Sequence, residues 1–153
     1  MHTELPLAKL GWTLKTMAIG LFAATLMTAL PANAETVSGN PGGQIVTFAL
    51  HIAKLRAADE PVHFDGECDS ACTLYLSLPV EQLCVTPRAS FGFHLPYGVG
   101  AHQNAVAANY LLSQYPDWVR QWIDEHGGLS HTLMRMEADE VAEHLPICAE
   151  VQA

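Results

Sequence analysis

Apolar positions along this chain come in short blocks separated by turn-forming residues, and their period changes from block to block. Asn40-Pro41-Gly42-Gly43 is a turn signal. After it, Ile45, Phe48, Ala49, Ile52 and Leu55 recur on one face of a 3.6-residue repeat, which predicts an amphipathic helix over 44–57. His51 and Lys54 fall off that face, so solvent is expected around them. Ala57-Ala58-Asp59-Glu60-Pro61 ends the helix. Val62-His63-Phe64 reads as a short strand, the segment 66–72 as a sharp turn, and 73–78 as an apolar run with helical spacing. A turn over 79–82 leads to a second strand, Leu83-Cys84-Val85, stopped by Pro87. Residues 89–94 alternate as a strand does and run into His94-Leu95-Pro96. From Gln103 the pattern is helical again, with Val106, Tyr110 and Leu111 on one face. Pro116 breaks that run, and a further helix is predicted over 117–126, stopped by Gly127-Gly128. Its Trp118 and Trp122 are expected in a core or an interface. A short run over 132–136 precedes a last helix over 137–144. Two β-turn-α units followed by strands and helices predict an α/β domain with a small sheet and a helical C-terminal third.

The first residues have a different character. Lys9 and Lys15 precede an apolar stretch, 17–30, that is short for a membrane span, and Ala32-Asn33-Ala34 is a small-x-small cleavage site. The expectation is a signal peptide over 1–34 and a single domain over 35–153, placed in a periplasm or outside the cell. A retained anchor is the alternative. No cysteine follows the apolar stretch to carry a lipid, and no later segment is apolar enough to span a bilayer. The 153-residue chain has seven Lys and Arg against sixteen Asp and Glu, a formal charge of −9. With two of the lysines in the leader, the domain is left with Lys54, Arg56, Arg88, Arg120 and Arg135. Such a surface argues against nucleic acid and anionic membrane as partners.

All four cysteines, Cys68, Cys72, Cys84 and Cys148, lie beyond the leader, which in an oxidising compartment argues for two disulfides. Three pairings can be drawn. The pairing favoured here joins Cys84 to Cys148, tying the end of the chain to its middle, and Cys68 to Cys72, bracing the turn around Ser70. No C-x-x-C occurs and no His stands at zinc-like spacing from a cysteine pair, so neither a metal nor a cofactor is expected.

Three separated pieces carry candidate chemistry. Gly42-Gly43, at a helix start, can expose backbone N–H groups that would hold an oxyanion. Ser70 stands at a strand-to-helix turn, where a hydroxyl is presented as a nucleophile, and the N–H of Ala71 would be a further oxyanion donor. His94, at a strand end, would be the general base. Each has a plainer reading: a turn, a helix cap at Ser70, and a hydrogen-bonded structural histidine. Together, Asn40-Pro41-Gly42-Gly43, Gly66-Glu67-Cys68-Asp69-Ser70-Ala71 and Phe93-His94-Leu95-Pro96 resemble the ClpP/crotonase superfamily. The likeness is to the Clp protease proteolytic subunit and, with Cys-x-Ser-Ala-Cys behind a signal peptide, to short exported ClpP-like bacterial proteins.

The resemblance implies reduced ClpP/crotonase-like β-α repeats and a serine hydrolase, peptidase-like, with a Ser70/His94 dyad. It covers 40–96 well and the last third loosely. Two departures stand out. The family has about one more β-α unit before its Gly-Gly loop, so the sheet here must be smaller, with an edge that a partner or another copy could cover. The family's third catalytic residue is an Asp just before the last helix, and 131–136 contains no acid. Glu137 is next in line but belongs at a helix start, so no triad acid is assigned. The alternatives are an inactive ClpP-like binding module holding a carbonyl or carboxylate, and a structural exported protein stabilised by disulfides. The loop over 95–103, poor in charge, is expected to border the site, with a peptide or acyl small molecule as substrate. Assembly as a homo-oligomer stays open.

Overall fold

Apolar triplets bounded by turn formers make strands too short to stand alone, so they must be laid side by side. The computed structural model describes residues 34–98 and 100–149. In chain order it contains β1 (Glu35–Val37), α1 (Ile45–Ala58), β2 (Val62–Phe64) and β3 (Glu67–Asp69). A 3-10 helix (Ser70–Ser77), a single 3-10 turn (Val80–Gln82), β4 (Leu83–Val85) and β5 (Ser90–Phe93) follow. The last part holds α2 (Ala101–Gln114), α3 (Asp117–Glu125), β6 (Met134–Glu137) and α4 (Ala138–Val141). The signal-peptide expectation lies, apart from Ala34, outside the described residues. No helix among the described residues is long and apolar enough to cross a membrane.

The class is mixed α/β, as expected, but the single small sheet is in fact two of three strands each. In the first, β1, β2 and β4 run parallel, with Glu35, Val62 and Leu83 in register. Helix α1 makes the first crossover and the 3-10 helix the second, as parallel pairing requires. In the second, β3 pairs parallel with β5, and β5 antiparallel with β6. The alternation of β2 is visible in its burial. Val62 and Phe64 are fully buried, and His63 between them points to the other face.

The predicted face of α1 is the one that packs. Ile52 and Leu55 are buried and Ile45 and Phe48 lean on the core, while Val46 and Leu50 stay about 60% exposed. The apolar run after Ser70 is helical but tighter than an α-helix, and it is buried all round from Ala71 to Leu76. Beneath it Phe64 meets Phe91 edge-on at 4.8 Å, and Phe93 lies against Tyr115 and Trp122. Trp118 and Trp122 are partly buried against this core, as expected.

Two further points differ from the sequence expectation. Strands β1 and β3 were not foreseen. The last helix is shorter than 137–144, because β6 runs through Glu137 to pair with Ser90 and leaves α4 only four residues. Glu137 does stand at the helix start, in a reciprocal capping box with Glu140. His51 keeps 43% of its side chain exposed, in line with its place off the packed face, and also meets the first strand: its Nε2 lies 2.5 Å from Glu35 Oε2, and the Tyr75 hydroxyl donates to the other oxygen of Glu35. Burial first, and Glu35 second, hold the Tyr75 phenol well above its ordinary range. These contacts fasten the edge strand β1 to α1 and the 3-10 helix.

Both favoured disulfides are formed, Cys68–Cys72 and Cys84–Cys148, and they fit an oxidising compartment. Sequence separations of 4 and 64 make them unequal. Loop-closure entropy assigns about 2 kcal/mol to the first and about 4 kcal/mol to the second. Urea unfolding of the Cys68→Ser/Cys72→Ser and Cys84→Ser/Cys148→Ser double variants should show the second losing about twice as much stability. Equal losses would refute the loop-length account.

Candidate functional site

Parallel pairing of β3 with β5 sets Asp69 opposite Gly92. Ser70 and His94 therefore leave neighbouring parallel strands at the same, carboxyl end, which is where α/β sheets place ligands. Ser70 has φ +55, in the left-handed region that costs a non-glycine residue about 1–3 kcal/mol. Its Oγ makes no hydrogen bond among the described residues, so it does not cap the 3-10 helix that starts there.

Several contacts hold this turn. The Cys68–Cys72 disulfide spans it. Thr73 Oγ1 donates to the Ser70 carbonyl at 2.6 Å and lies 2.6 Å from the Tyr115 hydroxyl. A hydroxyl has one proton, and Thr73 gives its own to Ser70, so Tyr115 is the donor to Thr73. Burial pushes the Tyr115 phenol up to about 12, with Thr73 partly offsetting the rise. On the other flank, Arg135 donates to Asp69 Oδ2 at 3.0 Å and to Ser90 Oγ at 2.9 Å, so β6 grips the residue before the serine. Asp69 Oδ1 is buried without a partner and is pressed on Gly92, where a β-carbon would stand 2.2 Å from it.

The Gly-Gly loop is laid along β3 by Asn40. Asn40 N–H donates to the Glu67 carbonyl and Asp69 N–H to the Asn40 carbonyl, both at 2.8 Å. This brings Gly42 against the serine turn with φ +85. A β-carbon there would stand 2.5 Å from the Asp69 carbonyl oxygen, 2.7 Å from Ser70 Cβ and 2.9 Å from Ala71 N. The expected oxyanion donors are not equivalent. Gly42 N–H is already given to Asn40 Oδ1 at 2.9 Å. Ala71 is fully buried and is not among the residues that line the cleft. Gly43 N–H has no hydrogen-bond acceptor among the described residues, and Gly43 lines the cleft.

His94 Nδ1 lies 2.7 Å from the Leu95 carbonyl. A carbonyl can only accept, so the proton sits on Nδ1 and Nε2 presents its lone pair. Leu95 N–H is bonded to the Ser130 carbonyl at 2.7 Å, which anchors this segment. No carboxylate touches His94 among the described residues, and Glu137 stands across from Ser90. Nor does a hydrogen bond join Ser70 Oγ to His94.

Ser70, His94, Gly42 and Gly43 nevertheless line one cleft of about 570 Å³. Its other walls are the start of α1 (Gln44, Ile45 and Val46), with Pro41, and Pro96, Tyr97, Asn104, Ala107 and Leu111. None of these carries a charge. The loop over 95–103 borders the site, as expected, through Pro96 and Tyr97. The contribution of α2 was missed. Its only signal was the spacing of Asn104, Ala107 and Leu111 at intervals of three and four. No protein-family model matches this chain, and no curated protein matches it.

Gly42→Ala forces a side chain into the backbone of 69–71. The variant should stay folded by far-UV circular dichroism yet lose at least tenfold in any reactivity of Ser70. Tyr115, neutral in the fold, supplies stability that is complete below pH 10 and lost as pH rises toward its folded pKa of about 12. Urea titrations between pH 9 and 12 should show Tyr115→Phe with a shallower alkaline decline than the parent. An unchanged slope would place the proton loss elsewhere.

Proposed function

We propose that this protein is an exported serine hydrolase of the ClpP/crotonase type that acts through Ser70 and His94. Its substrate is an uncharged acyl group in a peptide, ester or thioester. The observation that carries the reading is the left-handed turn at Ser70, which leaves an unbonded hydroxyl in the same cleft as a His94 whose Nε2 is free to accept. A strained nucleophile turn at the end of a strand is how hydrolases expose a serine. The Asn40–Gly43 loop lying along the strand before Ser70 supports the kinship.

In this mechanism substrate binding brings Ser70 Oγ and His94 Nε2 within hydrogen-bond reach, a contact commonly loose before substrate arrives. Nε2 takes the hydroxyl proton as Oγ attacks the carbonyl carbon. The oxyanion is met by Gly43 N–H, at the positive end of α1. Protonated His94 then gives its proton to the leaving group, and a water repeats the sequence on the acyl-enzyme. The Leu95 carbonyl fixes the tautomer that a triad acid would fix, but it has no full charge to balance an imidazolium. Turnover is therefore expected to be slow, since loss of the acid in a known triad costs about 10⁴.

A second reading has its own support. The missing Ser70–His94 bond and the absence of an acid favour a binding module of the same fold, holding a carbonyl or carboxylate at Gly43 and Ser70. Labelling of the oxidised protein with a fluorophosphonate probe separates the two. Hydrolase chemistry predicts one label per chain, lost in Ser70→Ala and reduced at least a hundredfold in His94→Ala. No labelling of folded protein between pH 6 and 9 would leave the binding module as the reading.

A further inference from the structure

The outer face of the first sheet carries a polar row. Thr36, His63 and Cys84 are register partners on β1, β2 and β4, on the face opposite the one that buries Val62 and Phe64. The segment after α4 returns beside β4, with Ile147 bridged to Val85 and Cys148 N–H bonded to the Val85 carbonyl at 2.9 Å. This brings a His63 ring nitrogen and the sulfurs of Cys84 and Cys148 all within 4.8 Å of one another. All three residues are half-buried. His63 makes no side-chain hydrogen bond or ion pair among the described residues, although it sits on the central strand.

In the oxidised protein the two sulfurs are bonded to each other and cannot both act as ligands. We propose that reduction of Cys84–Cys148 opens a binding site for a thiophilic divalent cation of the Zn²⁺ class. The two thiolates and the His63 imidazole are its ligands. A dithiol supplies two electrons and two protons: the S–S bond breaks, the cysteines become thiols and the dithiol closes to its own disulfide. Binding of the cation then expels the two thiol protons, because the thiolate is the ligand. A Cys₂His set with water in the fourth position suits tetrahedral zinc and leaves one site open. No zinc-like spacing exists in the sequence, because parallel strand pairing and the returning C-terminal segment bring the three residues together. The site exists only where a reductant reaches the protein, so it responds to redox conditions independently of any chemistry at Ser70.

The test uses the protein with Cys68→Ala and Cys72→Ala, which leaves one disulfide. It is reduced with dithiothreitol, desalted without oxygen and titrated with Co²⁺. The expected result is one Co²⁺ per chain with a thiolate charge-transfer band and tetrahedral d–d bands, displaced by Zn²⁺ and absent before reduction. His63→Ala should weaken Co²⁺ at least about a hundredfold, since even an outer-shell partner is worth 10–100-fold, and His63→Cys should restore binding with a more thiolate-rich spectrum. A reduced chain that unfolds but refolds on adding Zn²⁺, by circular dichroism, also supports the site. Binding no tighter than in Cys84→Ser/Cys148→Ser, an affinity and spectrum unchanged in His63→Ala, or a reduced chain that Zn²⁺ cannot refold each overturns it.

Discussion

The cleft depends on close backbone approach at the serine turn, where two positions have no side chain. Gly42 presses on residues 69–71 from the loop before α1, and Gly92 receives the Asp69 carboxylate from β5. A methyl group at either position would collide with the turn. Held between them, Ser70 keeps a conformation that an unsupported serine would abandon. The Tyr115–Thr73–Ser70 hydrogen-bond chain and the Arg135–Asp69 pair act in the same direction. They come from Tyr115, just past α2, and from Arg135 in β6, so the geometry of Ser70 is set by the last third of the chain as well as by its own turn.

That distribution explains what could be read from residues alone. The helix α1 and the strands β2, β4 and β5 were legible because apolar side chains repeat at 3.6 or 2 and the breaks carry Pro, Gly or Asp. Strands β1 and β3 were not. Glu67 and Asp69 flank a single Cys in β3, and no local preference favours a strand there. It is a strand because Asn40 and β5 satisfy its backbone and Arg135 meets its acids. At the site, Ser70, His94 and Gly43 were visible as motif residues and share the cleft. The use of Gly42 N–H by Asn40 and the partnering of His94 by its neighbour's carbonyl were not visible, since both depend on backbone path.

Charge is segregated in this molecule. The acids lie outside the cleft, whose walls are apolar side chains, glycines and a few neutral polar groups. On the proposed reading, a carbonyl entering it would meet the Gly43 N–H with no competing carboxylate, ammonium or guanidinium on the walls. No Asp, Glu, Lys or Arg on the walls offers a charged group a partner of opposite sign. On the proposed reading, a preference for neutral groups would follow from what the walls omit.

The first sheet contains no hairpin. Its three strands are parallel and joined through helices, and its edge at β4 is extended by the segment around Ile147. Its assembly is therefore a matter of timing. Cys68 and Cys72 can meet as soon as their own turn forms, whereas Cys84 must wait for the end of the chain to come back. Oxidation therefore has a built-in order, the local bond first and the distant one last. The second bond records that the whole domain has been assembled.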